Sequence, residues 1–154
     1  MLPDDVYRDR LEETLVKLED WANAMRDCAD VDIAASQSYW RMSLAPNIEG
    51  ACPFELMIKS DQTFTLKLAS ETYESKPVGR FDLFLNLADS IVAGRVERIT
   101  TRNAQTGVLL AIETHVEIRD GWDWIGERRV TPLRMPALEA DEERRTHRFL
   151  PYRR

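Results

Sequence analysis

The chain has 154 residues, enough for one domain and short for two full cores, with 44% apolar and 31% charged residues. That balance excludes a wholly disordered chain, and no apolar run approaches the roughly 20 residues that span a bilayer. A formal net charge of −6 argues against nucleic acid as a partner, because neutralising phosphate supplies most non-specific affinity for it.

The first predicted element is a helix from about Pro3 to about Cys28. Leu11, Leu15, Leu18, Ala22 and Met25 follow the spacing of one buried face, with Trp21 at its border. Pro3 suits a first turn, and Asp4 and Asp5 complement the positive end of the helix dipole. An acidic start without a basic, then apolar, leader predicts a protein that stays in the cytoplasm.

From Ile33 the apolar period becomes two. Trp40, Met42 and Leu44 alternate with Arg41 and Ser43 to predict a strand, and Pro46, Asn47 and Gly50 mark a loop. Phe54, Leu56 and Ile58 predict a second strand. Ser60-Asp61-Gln62 is turn chemistry, and Phe64, Leu66 and Leu68 predict a third, making a hairpin with one buried face.

After Pro77 and Gly79 the helical period returns through Phe81, Phe84, Leu85, Ala88, Ile91 and Val92, with Gly94 as the stop. A second hairpin is expected from Val96 to Arg102 and from Val108 to Ile118, across the turn Asn103-Ala104-Gln105-Thr106. Trp122 and Trp124 suggest one further short strand ending near Val130. Pro132 and Pro136 prevent a long element, and Ala137 to Arg148 predicts a short helix or a disordered tail, with Asp141–Arg145 and Glu143–His147 at i, i+4.

The expected fold class is α+β: an antiparallel sheet of about five to six strands with two helices on one face, in the order α-β-β-β-α-β-β(-β). Residues 1–131 form the single domain, and residues 132–154 an irregular tail. Element order and acidity across residues 1–120 are similar to the small dimeric chaperones of bacterial secretion systems, and compatible with curved-sheet domains of the nuclear-transport-factor type. The first likeness implies a homodimer that takes an extended client segment along a strand edge.

Signatures of phosphate loops, dinucleotide binding, zinc and nucleophile elbows are absent from the sequence. No metal or cofactor is expected. Cys28 and Cys52 read most simply as small buried apolar side chains in a reducing compartment, with a disulfide as the alternative. The best chemical candidates are Glu113, His115 and Glu117, which alternation puts on one face of one strand about 6.6–7 Å apart, a placement suited to holding a divalent metal or to acid–base work. Arg98 of the paired strand is expected alongside. The plain alternative is the solvated outer face of an antiparallel sheet.

Binding candidates are Trp122 and Trp124, with Tyr39 and Trp40, as an aromatic patch; the alternative is that they close an edge of the core. Charge is uneven: residues 1–32 carry ten acids and four bases, residues 126–154 five acids and eight bases. Arg144, Arg145, Arg148, Arg153 and Arg154 are therefore expected to dock on Asp9, Glu12, Glu13, Glu19 and Asp20 of a second subunit's first helix. The leading expectation is an acidic, non-enzymatic protein-binding or assembly domain. The alternative is a small-molecule site walled by Trp40 and Met42, or an enzyme using Glu113 and His115.

Overall fold

The computed structural model describes residues 1–118, 122–130 and 141–153, together with the backbone but not the side chain of Trp122. Helix α1 (Asp4–Ala24) is followed by strands β1 (Ala29–Ala35), β2 (Tyr39–Pro46), β3 (Phe54–Lys59), β4 (Thr63–Leu68) and β5 (Glu71–Pro77). Helix α2 (Asp82–Val92) then leads to β6 (Val96–Asn103), β7 (Leu109–Ile118), β8 (Trp122–Arg129) and β9 (Glu142–Arg148). The α+β class, antiparallel pairing and two helices stand as expected. The strands divide into two sheets, ordered β1-β2-β3-β4-β5 and β8-β7-β6-β9. No helix among the described residues is long and apolar enough to cross a membrane.

The first sheet is a meander whose alternation does what the sequence predicts. Trp40, Met42, Leu44, Phe54, Leu56, Ile58, Phe64, Leu66 and Leu68 are all buried, and their neighbours in β2 to β4 face outward. Both helices cover that buried face. Leu18 and Ala22 come from α1, and Phe84, Leu87, Ala88 and Ile91 from α2, into one core. Phe84 meets Phe64 edge to face at 5.2 Å.

Two strands of this sheet lie outside the sequence-based expectation. β1 has only Val31 and Ile33 as larger apolar residues, both partly buried. β5 places Glu71 and Tyr73 inward, so its buried face is half polar and its pattern weak.

The second sheet joins the same core through Val96, Val116 and Ile118. Tyr73 of β5 reaches across to it. The Tyr73 hydroxyl is hydrogen-bonded to Thr114 Oγ1 at 2.7 Å, and its ring meets Trp124 edge to face at 5.3 Å. Buried Glu71 accepts two hydrogen bonds from Arg128, 2.8 and 2.9 Å long. Gly126 lies where a Cβ would stand 2.7 Å from the Tyr73 ring, so the sheets close only over a residue without a side chain.

The largest departure is the tail. Residues 142–148 form an edge strand in register with β6, Glu97 opposite Arg148 and Asn103 opposite Glu142, where the sequence predicts a helix or disorder; residues 137–140 lie outside the described residues. The segment Glu-Glu-Arg-Arg-Thr-His-Arg has no apolar stripe, and the backbone groups of β6 outweigh its i, i+4 charge pairs. Beyond β9 the chain straps across the ends of both helices. Phe149 and Tyr152 are buried, the Tyr152 hydroxyl donates to the Cys52 carbonyl at 2.5 Å, and its N–H to Val92. Gly94, at φ +79° with the Pro151 nitrogen 2.7 Å from where a Cβ would stand, makes room for the strap. Cys28 and Cys52 are free, buried thiols; burial pushes Cys52 up to about 12.

Candidate functional site

The polar trio lies on the outer face of β7. His115 Nε2 and Glu113 Oε2 are 3.0 Å apart, each side chain about one quarter exposed. The register puts Glu97 of β6 beside His115 and Arg148 of β9 beyond it, with Arg148 3.6 Å from Glu97. Arg144 stands 3.4 Å from Glu113.

Arg98, expected beside the trio, is opposite Thr114. Directly opposed residues share a face, so it points away from the trio. Its guanidinium packs 5.4 Å from the Phe149 ring centroid, with Nε and Nη2 buried and without a hydrogen-bond partner.

A depression of about 300 Å³ is lined by Arg95, Glu97, His115, Glu117, Asp123 and Arg148. It offers a histidine and carboxylates but no hydroxyl or thiol to act as a nucleophile. Among the described residues no group of three or more His, Cys, Asp or Glu is placed to hold a metal. The structure thus brings Glu113 and His115 into contact and leaves Glu117 exposed.

The aromatic patch does not assemble from the described side chains. Trp40 is 3% exposed, sealed in the core with its indole N–H donated to Glu19 Oε1 at 3.0 Å. Tyr39, 37% exposed, is the next residue in the same strand and faces the opposite side. Trp124 is half buried against Tyr73, and the Trp122 side chain lies outside the described residues. Met42 is fully buried, so Trp40 and Met42 are packed core and no pocket wall.

The tail arginines are engaged within their own chain. Arg144 meets Glu113, Arg145 meets Glu143, Arg148 meets Glu97 and Arg153 meets Asp27 at 2.6 Å; Arg154 lies outside the described residues. Of these acids none is among those proposed for docking on a second subunit's helix. The tail folds back as a strand because β6 presents an unpaired edge next to it.

What sequence reasoning missed is the groove between the helices. Tyr7 and Phe81, at the two helix starts, have ring centroids 5.6 Å apart. Near the two ends, the Trp21 indole donates to Asp89 Oδ1 at 2.7 Å. The helices therefore run side by side in the same direction.

Between them lies a groove of about 740 Å³, floored and walled in part by Leu2, Val78, Phe81 and Leu85. Arg10, Glu13, Thr14 and Lys17 of α1 line one side, and Arg80, Asp82 and Asn86 the other. Arg80 is clamped by Asp82 through two hydrogen bonds of 3.1 and 2.7 Å, whose charge and hydrogen bonding hold the guanidinium above its ordinary range. Arg10 and Lys17 have no carboxylate within ion-pair distance among the described residues.

Gln62 closes one end. Its side-chain amide accepts from Leu2 N–H at 3.0 Å and donates to Leu2 C=O at 2.6 Å, pairing with the backbone as a neighbouring strand would. The available sequence signal was the i, i+7 spacing of Arg10 and Lys17 with Thr14 between them, a polar stripe beside the apolar one. Nothing local in it said that α2 would lie alongside. No family model, no curated protein and no solved structure matches the chain.

Proposed function

We propose that this chain is a non-enzymatic binding domain whose ligand seats in the groove between α1 and α2. The observation that carries the reading is the pairing in one groove of an apolar wall (Leu2, Val78, Phe81, Leu85) with Arg10 and Lys17, which have no carboxylate at ion-pair distance among the described residues. Its volume of about 740 Å³ lies within the range of ligand-binding clefts. The depression around His115 is the weaker seat, because Glu97, Glu113, Arg144 and Arg148 already satisfy one another and no nucleophile lines it.

A homodimer belongs to this reading through the likeness to secretion chaperones alone, since the tail arginines are engaged within the chain. Light scattering on the intact chain tests it, and the mass of one chain removes the dimer without touching the groove.

The groove is tested with anilinonaphthalene sulfonate, whose emission rises on entering an apolar cleft. The native chain is expected to bind it saturably, and Asn86→Trp, an exposed position that would fill the groove, to abolish the signal while circular dichroism stays native. Leu85→Asp serves as a second block. Unchanged emission in both folded variants overturns the reading.

A further inference from the structure

We infer that β8 is the interface of the homodimer: a second copy of this chain lays its own β8 against it, antiparallel and two-fold, with Gly126 of each copy at the centre. The inference rests on the homodimer of the proposed function and adds the surface that forms it.

The two sheets end in four edge strands, β1, β5, β8 and β9, and an unguarded edge is a template for another chain. Three of them carry a guard. On β1 the Arg26 guanidinium donates to the Val31 carbonyl at 3.2 Å. β5 has a register shift against β4, Ser75 at φ +52° and Pro77. β9 is charged at five of its seven positions. β8 has neither a register shift nor a proline, and the order of its charges decides what it can accept.

The ladder fixes which groups this edge offers. Val130 N–H donates to the Leu110 carbonyl at 2.9 Å, one step beyond Arg129 opposite Ala111. Bonded and open positions alternate along an antiparallel strand. Trp124, Gly126 and Arg128 therefore turn their backbone groups to β7, and Asp123, Ile125, Glu127 and Arg129 turn theirs outward. All four are exposed, Ile125 by 55%.

A two-fold partner bonds these outward residues to one another, which leaves only the choice of centre. Centred on Ile125, the pairing sets Asp123 against Glu127. Centred on Glu127 or Arg128, it sets that charge against itself, and centred on Trp124 it leaves Glu127 and Arg129 unpaired beyond the strand. Like charges directly opposite one another destabilise a sheet. Centred on Gly126, the pairing sets Asp123 against Arg129 at both ends and Ile125 against Glu127, with the two Ile125 side chains diagonal neighbours. On the other face Trp124 stands opposite Arg128, an indole with a guanidinium. No like charges are opposed, so the strand complements its own reverse, as an isologous interface requires.

Asp123 also lacks a cation of its own. It stands opposite Glu117 of β7, and neither carboxylate has a cation at ion-pair distance among the described residues. Arg95 and Arg148 line the same depression without reaching either. Arg129 is held only by its own Glu127, at 3.5 Å.

The experiment is light scattering of the full chain over a range of concentrations, with charge reversals at two exposed positions and circular dichroism as the check on folding. The native chain is expected to have the mass of two chains. Asp123→Arg and Arg129→Asp each oppose like charges at both ends of the seam. Each should raise the dissociation constant on the order of tenfold, since two surface pairs change at once. Combined in one chain, the two reversals should restore the dimer. Mixing the two single variants should give a heterodimer tighter than either homodimer, because both of its end pairs are then opposite in charge. Amide exchange on the native chain reads the same seam without a variant: the N–H groups of Ile125 and Glu127 should slow as concentration rises, and those of Gly126 and Arg128 should not change.

A dimer that survives both reversals, with exchange at Ile125 and Glu127 independent of concentration, overturns the β8 interface and leaves the homodimer standing. Weakening by each reversal without recovery in the double variant or the mixture overturns the register centred on Gly126. The mass of one chain at every concentration overturns the homodimer and the interface with it.

Discussion

The two sheets are held to the same core by different physics. The first buries one complete face of β2, β3 and β4 under two helices, nine large side chains deep in contact with Leu18, Phe84, Leu87 and Ile91. The second contributes Val96, Val116 and Ile118 to that core. It is otherwise fixed by particular ties: Tyr73 to Thr114, Glu71 to Arg128, and the strap carrying Phe149 and Tyr152. Burial is non-directional and tolerates small shifts, whereas a tie between two buried polar atoms requires a specific geometry. The first sheet should therefore resist substitutions at its rim, and the second should respond sharply to single atoms at the junction.

The comparison breaks first, and most heavily, at Phe84→Ala. Phe84 is fully buried and touches the first sheet edge to face; the loss is about 3–5 kcal/mol. Urea unfolding should show one transition at a much lower midpoint for both sheets. Separate transitions would mean that the second sheet is an independent unit.

Gly126→Ala should come next, costing about 1–3 kcal/mol through overpacking, because the new methyl group would stand 2.7–2.8 Å from atoms of Tyr73 and Trp124. Amide exchange in β7 and β8 should quicken well before that in β3 and β4. A uniform change across both sheets would contradict the local character of the junction. Tyr73→Phe is expected to cost about 1–2 kcal/mol, since it strips Thr114 of its buried partner. Adding Thr114→Val should recover part of the loss, and a double-mutant cycle measures how much.

The smallest effect is with pH. Burial, with Asp61 adding to it, pushes Tyr7 up to about 12 from its ordinary 10. Burial pushes Cys52 from 9 to about 12, against the opposing influence of Arg98 and the Ala69 backbone. The folded chain keeps both protons where the unfolded chain releases them. This share of stability is intact below about pH 9 and is lost as pH rises toward 12. Urea midpoints at pH 8 and pH 10 should fall with pH, and less steeply in Tyr7→Phe with Cys52→Ala; an equal slope in that variant would assign the fall to other groups.

Much of this architecture was legible from local pattern. Periods of 3.6 and 2 sufficed for α1, α2, β2, β3 and β4, because each buries a continuous apolar stripe or face and the residues of that face must be apolar; β6 and β7 were marked by the turn between them, since β6 buries Thr101 and Asn103 along with Val96. The periods failed at β1, β5 and β9, and β1 offers only Val31 and Ile33, both partly buried. β5 buries Glu71 beside Tyr73, a carboxylate that belongs inside only because Arg128 arrives from 57 positions along the chain. β9 has no buried residue at all and exists because β6 has an edge to offer.

The site divides in the same way. Parity along β7 placed Glu113 and His115 together on a solvated face, and the structure shows them in contact. Parity could not say that Arg98 would lie on the other side, because that depends on the register of the facing strand. Trp40 and Tyr39, adjacent in sequence, lie on opposite faces of β2, which the strand period itself required. The sequence by itself determined the helices, the alternating strands and the α+β class, since these follow from what each short segment must bury. Only the tertiary structure decided that the sheet would split in two, that the tail would close on β6, and that α1 and α2 would lie parallel with a groove between them. Those outcomes depend on contacts between segments tens of residues apart, whose partners no local period encodes.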